Sequence, residues 1–154
     1  MTVTDPQIVR HLSDAEAPWV DTGQGIDMKL LRVDVENGIW VIRNRFQPGV
    51  ELPVHQHTGT VEGYTFSGRW RYLEYDFVST AGSYIHEPAG SVHTLQVPAD
   101  NTEPTDVLFI ISGALLYLGA EGQVEMVVDA GSILEAYVAL CKAAGLGMPT
   151  VLSA

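Results

Sequence analysis

Between Met28 and Val128 the chain is a succession of short β-type runs, each closed by turn residues, and this punctuation constrains the fold more than any other feature. The runs read as strands at 29–35, 39–46, 61–66, 70–77, 83–86, 92–97, 107–112, 114–118 and 124–128. Many short strands with frequent turns predict an antiparallel sandwich or a closed barrel. The first pair meets at Glu36-Asn37-Gly38, where Asn-Gly is expected to supply both positive φ angles of a two-residue hairpin turn. A helix is expected over 132–145, with Ser132 as its cap, Glu135 as the capping-box partner, and Gly145 and Pro149 as the stop. Ile133, Leu134, Tyr137, Val138 and Cys141 form its apolar stripe, which needs cover from the barrel or from a second subunit. Residues 1–27, with Pro6, Pro18, Gly23 and Gly25, read as an arm with little regular structure. The expectation is a single all-β domain over 1–154: the arm, a barrel over 28–128 and a C-terminal helix.

Eight basic against nineteen acidic residues give a formal charge of −11, which repels phosphate backbones and anionic lipid. Nucleic-acid and membrane partners are therefore not expected. No apolar run is long enough to cross a bilayer, and the N-terminal residues lack the basic and apolar segments of a secretory signal, so a cytoplasmic location is the default. Cys141 is the one cysteine and falls in the helical stripe, where it reads as an apolar filler rather than a reactive thiol.

The chemistry concentrates between Gly49 and Val97. Behind a glycine-bearing turn stands His55-Gln56-His57, and later comes Pro88-Ala89-Gly90-Ser91-Val92-His93. In an extended strand His55 and His57 project to the same face. Two like-facing imidazoles and a third from another strand can cap one side of a metal ion and leave its other positions open. His86 and His11 have no such context and read as hydrogen-bonded or surface residues. Arg43, Arg45, Arg69 and Arg71 read as partners of the abundant carboxylates. Ser91 beside His93 lacks the strand–turn–helix setting of a hydrolase nucleophile.

Read with their flanks, these residues resemble both motifs of the cupin superfamily. Gly49, five residues, His55, one residue, His57 and a later Gly68 are similar to the first motif; Gly82, five residues, Pro88-Ala89-Gly90, two residues and His93 are similar to the second. The resemblance implies a double-stranded β-helix, or jelly-roll barrel, holding one divalent metal on His55, His57 and His93. The usual motif has a glutamate ligand where this chain has Val61, with Glu62 one position late. A one-residue offset turns a strand side chain to the other face, so Glu62 becomes a fourth ligand only if a bulge near Gly59 resets the register. A three-histidine site is the favoured reading.

Residues 64–75 and 87–95 narrow the resemblance to small single-domain cupins typified by 2,4'-dihydroxyacetophenone dioxygenase and the acetylacetone-cleaving dioxygenase, a group related to the ChrR-type anti-sigma-factor cupin. What this implies is a ferrous-iron dioxygenase that cleaves a carbon–carbon bond beside a carbonyl, with a small ketone and dioxygen as substrates. It also implies an active-site role for Glu87, six residues before His93, where it could hold a ligand imidazole by a hydrogen bond. Glu74 reads as a solvated residue with a lesser claim on the site. Zinc or nickel would suit the same histidines, so a non-catalytic zinc-binding ChrR-like protein and a metal-dependent isomerase or hydrolase stand as alternatives. Exposed sheet edges and the helical stripe predict a homodimer or homotetramer.

Overall fold

The computed structural model describes residues 8–153. Strand β1 is Val20–Asp21, β2 Ile26–Asp34, β3 Ile39–Phe46, β4 His55–His57, β5 Val61–Ser67, β6 Arg69–Tyr72 and β7 Ser79–Thr80. There follow β8 Tyr84–Glu87, β9 Val92–His93, β10 Leu95–Gln96, β11 Thr105–Ser112, β12 Leu115–Leu118, β13 Val124–Val128, helix α1 Ala130–Ala143 and β14 Leu152–Ser153. The largest sheet runs β1-β2-β3-β11-β5-β8, with β14 pairing parallel to β2. A second sheet runs β13-β12-β4-β9, and a third, small one runs β10-β6-β7. The expected all-β cupin architecture with one C-terminal helix is thus present.

Period-two alternation sorts the central strands. On β3, Trp40, Ile42 and Phe46 are buried; on β11, so are Val107, Phe109 and Ile111. The two strands pair antiparallel from Thr105↔Phe46 to Ser112↔Ile39, so these six side chains share one inner face. The charged residues among their outward neighbours are paired. Arg43 donates two bonds of 2.8 Å to Asp106, and Arg45 lies 3.3 Å from Asp27 with its guanidinium 3.8 Å from the Trp19 ring centroid. Arg69 is 2.6 Å from Asp100, and Arg71 donates to Gln96. None of the four arginines reaches the cavity between the sheets.

Several boundaries differ from those read in the sequence. The first hairpin forms, but Asp34 pairs with Ile39, so four residues turn the chain. Only Gly38 takes a positive φ, at 69°, while the Asp34 carboxylate accepts bonds from the Asn37 backbone and amide. That side-chain brace substitutes for the left-handed Asn of a two-residue turn. Residues 70–77 do not remain one strand: β6 ends at Tyr72, and the chain turns through Leu73–Tyr75 with the Tyr75 N–H on the Tyr72 carbonyl. The run at 92–97 is two short strands on different sheets. The expected arm is partly structured, with a short 3-10 turn at Asp14–Glu16, strand β1 and the start of β2; residues 1–7 lie outside the described residues.

Helix α1 is capped three residues before the expected position, by Asp129 in place of Ser132, and begins at Ala130. Asp129, in extended conformation, accepts from the Ser132 N–H, and the Ser132 hydroxyl accepts from the Asp129 N–H. Ser132 is therefore the reciprocal partner inside the box rather than the cap, and Glu135 is exposed and outside it. Starting at Ala130 also buries that residue against the sheet. The stop is as expected: Gly145 takes φ 72°, its N–H bonds Lys142, and the Leu146 N–H bonds Cys141. Tyr137 and Cys141 are fully buried, and the Tyr137 hydroxyl donates to the Pro18 carbonyl at 2.6 Å, tying the helix to the N-terminal segment.

Candidate metal centre

Strand β4 places His55 and His57 on one buried face, with half-buried Gln56 between them. Its neighbours bring the rest: His55 pairs with His93 of β9 on one side and with Tyr117 of β12 on the other. The turn that delivers His93 is fastened to β4. The Gly90 N–H donates to the His57 carbonyl at 2.7 Å and the His57 N–H to Ser91 at 3.2 Å, with Gly90 at φ 85°. The three imidazoles each offer a nitrogen, and these nitrogens lie within 4.8 Å of one another.

The imidazole chemistry suits a cation. His55 Nδ1 lies 2.9 Å from the Pro53 carbonyl; a carbonyl only accepts, so Nδ1 carries the proton and Nε2 is free. Burial pushes the His57 imidazole down to about 4 and the His93 imidazole to about 3, and lowers His55 as well. All three are therefore neutral near pH 7, the form that ligates a metal. His57 Nδ1, His93 Nε2 and Glu87 Oε2 are buried without a hydrogen-bond partner among the described residues. Buried polar atoms are rarely left so, and a divalent ion shared by the cluster would satisfy some of them. The residues present fit such an ion.

Glu87 is buried beside the cluster. Its Oε2 lies 3.5 Å from His57 Nε2 and its Oε1 3.6 Å from His93 Nε2. Burial raises the Glu87 carboxyl from 4.5 to about 7, against the hydrogen bond donated by the Tyr72 hydroxyl. The Tyr72 ring stacks on His93, centroids 3.9 Å apart. Glu62 is not brought to the cluster. No bulge resets β5 there: Val61 is buried, Glu62 points outward, and its carboxylate accepts from the Tyr84 hydroxyl and lies 2.8 Å from His86 Nδ1. Val61 pairs directly with Glu87 across β5 and β8, so the buried carboxylate comes from the strand next to the position where the usual motif carries one. Glu74 also stays outside, exposed, accepting from the Thr94 N–H at 2.8 Å.

His55 and His57 open onto a cavity of about 420 Å³ between the sheets. Its wall is mainly apolar, built by Met28, Trp40, Phe46, Val61, Phe109 and Leu115 among others, with His55, His57, Tyr72 and Tyr117 at the histidine side. Glu87 and His93 do not line it. Tyr72 and Tyr117 were not singled out in the sequence as site residues. Tyr72 alternates with Trp70 on β6 and so reads as core; only the tertiary structure shows that its hydroxyl meets Glu87 and its ring His93.

Fold and site together define a cupin. The ChrR cupin-like domain family matches residues 8–116, and the chain belongs to that family. Two solved structures from Ralstonia eutropha JMP134 are similar over nearly the whole length. An RmlC-like cupin protein is 31% identical, with a TM-score of 0.88, covering 96% of this chain and 95% of its own. A protein of unknown function with a cupin-like fold is 35% identical, with a TM-score of 0.80, covering 95% and 96%. The acetylacetone dioxygenase of Acinetobacter johnsonii shares the fold at 18% identity, with a TM-score of 0.73 over 87% of this chain and 93% of that one. No curated protein matches the chain significantly in sequence.

Proposed function

We propose that the chain is a non-haem iron(II)-dependent dioxygenase that cleaves a carbon–carbon bond beside a carbonyl in a small diketone or hydroxyketone. The observation that carries this reading is the cluster of three neutral, buried imidazoles, two of which, His55 and His57, line a mainly apolar cavity of about 420 Å³, within the range of small-molecule pockets. The fold shared with the acetylacetone dioxygenase supports it. When bound, ferrous iron supplies Lewis acidity and the electron chemistry that dioxygen requires. The protein's own part is to hold and enclose. His55, His57 and His93 contribute no charge, so the ion keeps its full double positive charge and favours a ketone able to bind as an anion. Trp40, Phe46 and Phe109 exclude water, which strengthens that attraction. Glu87, with carboxylate oxygens 3.5 Å from His57 Nε2 and 3.6 Å from His93 Nε2, is the acidic group beside the cluster and supports these two imidazoles electrostatically when the ion is bound.

Anaerobic loading with ferrous iron, followed by oxygen-uptake measurement on a panel of diketones and hydroxyketones, tests the proposal. Uptake coupled to cleavage is expected, and Glu87→Gln should lower turnover more than it lowers iron content. The family match favours one second reading, a non-catalytic zinc-binding protein like the ChrR cupin domain. An iron-loaded sample that consumes no oxygen with any ketone, while retaining zinc tightly, would select it.

A further inference from the structure

The inner face of β3 reads Trp40, Ile42, Asn44, Phe46: three apolar side chains and one amide. Asn44 pairs with Met28 of β2 and Val107 of β11, both buried, and lines the cavity with Met28 and Phe46. Its amide makes no hydrogen bond among the described residues, although the outward arginines on either side of it are both paired. Asn44 is half-buried, so its amide has lost part of its water contact without gaining a protein partner, and a ligand in the cavity can supply one. On the β4 side, Tyr117 is a second unpartnered group of the same cavity: its hydroxyl has no hydrogen bond among the described residues, and its ring lies 5.9 Å from His55. Asn44 belongs to the large sheet and the histidines to a smaller one, so the cavity carries polar groups on both sheets; Thr22, Gln24 and Glu125 also line it, with Thr22 bonded to the Ile26 carbonyl and Glu125 to Gln123.

We propose that Asn44 is a second binding point, which selects ketones carrying a hydrogen-bonding group, a hydroxyl or a further carbonyl, on the side that faces the large sheet. This rests on the proposed ketone chemistry and deepens it by naming that group of the substrate. An amide both donates and accepts, so it recognises either group, whereas a purely alkyl or aryl tail leaves it unpartnered. Tyr117, beside His55, hydrogen-bonds the end of the same ligand nearer the histidines.

The test uses zinc-loaded protein, which binds without turnover, and titration calorimetry with benzoylacetone and its para- and meta-hydroxy and methyl derivatives. Hydroxyl and methyl are close in size, so the comparison isolates the hydrogen bond. The wild type should prefer a hydroxyl derivative over its methyl counterpart by roughly tenfold. Asn44→Leu should abolish that preference while raising the melting temperature of the ligand-free protein, because leucine suits the apolar strand face. Should the leucine variant not fold, Asn44→Ala gives the same affinity comparison. Binding with equal affinity for hydroxyl and methyl compounds, a preference that survives substitution of Asn44, or a leucine variant no more stable than wild type would each overturn this inference and leave the dioxygenase reading standing. Failure to bind any of the ketones would sink the ketone reading, and the Asn44 assignment with it.

Discussion

Glu87→Gln in metal-free protein gives a pH signature that can be worked from the structure. The Glu87 carboxyl is raised from 4.5 to about 7 by burial, so the folded state holds a proton that the unfolded chain releases earlier. A group raised in this way contributes stability that is fully present below about 4.5 and is lost as the pH rises through about 7. The loss is roughly 3 kcal/mol, at about 1.4 kcal/mol per tenfold change in ionisation constant. Glutamine does not titrate and suffers no such loss. His57 and His93 also change stability with pH, in the opposite direction, but they are common to both proteins and cancel in the difference. In chelator-treated samples, the melting temperature of Glu87→Gln relative to wild type should therefore climb by roughly 6–12 °C between pH 4.5 and pH 8. Adding a divalent metal should shrink or reverse the gain, because a cation beside the carboxyl favours its ionised form. A difference curve that is flat with pH in metal-free protein would refute the claim that Glu87 is destabilised by burial as an anion.

Replacing His55, His57 or His93 by alanine should sharply cut metal content measured by elemental analysis, and full occupancy in all three variants would refute the site. Since burial holds His57 near 4 and His93 near 3, protons compete weakly for these nitrogens, and metal should stay bound as the pH falls through the ordinary imidazole value of 6.5; half-release at about 6.5 would contradict this. Gly68→Ala should lower stability by at least about 2 kcal/mol, or roughly 4 °C in melting temperature, since Gly68 has φ 76° and an added Cβ would stand 2.6 Å from Thr105 Cα. Light scattering should show a symmetric oligomer, because β13 is a sheet edge with Val124, Met126 and Val127 about half exposed; a monomer at micromolar concentration would rule this out.

What the sequence determined by itself is local. The two-residue alternation placed His55 and His57 on one face, glycine and proline marked the turns, and β3 and β13 stand where the apolar pattern put them. Those signals need no knowledge of a neighbour, because backbone geometry alone dictates them. The choice between carboxylates was decided only in three dimensions. Glu62 and Glu87 belong to adjacent strands, and which one enters the core follows from the register that pairs Val61 with Glu87 and Glu62 with His86. The same holds for Tyr72, whose hydroxyl meets Glu87 only through strand packing, and for Asn44, which reads as one polar residue in a strand until the opposing sheet turns its surroundings into a cavity wall. The cap of α1 moved from Ser132 to Asp129 for a related reason: both sequences of caps are locally sound, and burial of Ala130 against the sheet goes with the earlier start. A strand's face is written in its own residues, whereas the partner across from it is set by the whole fold.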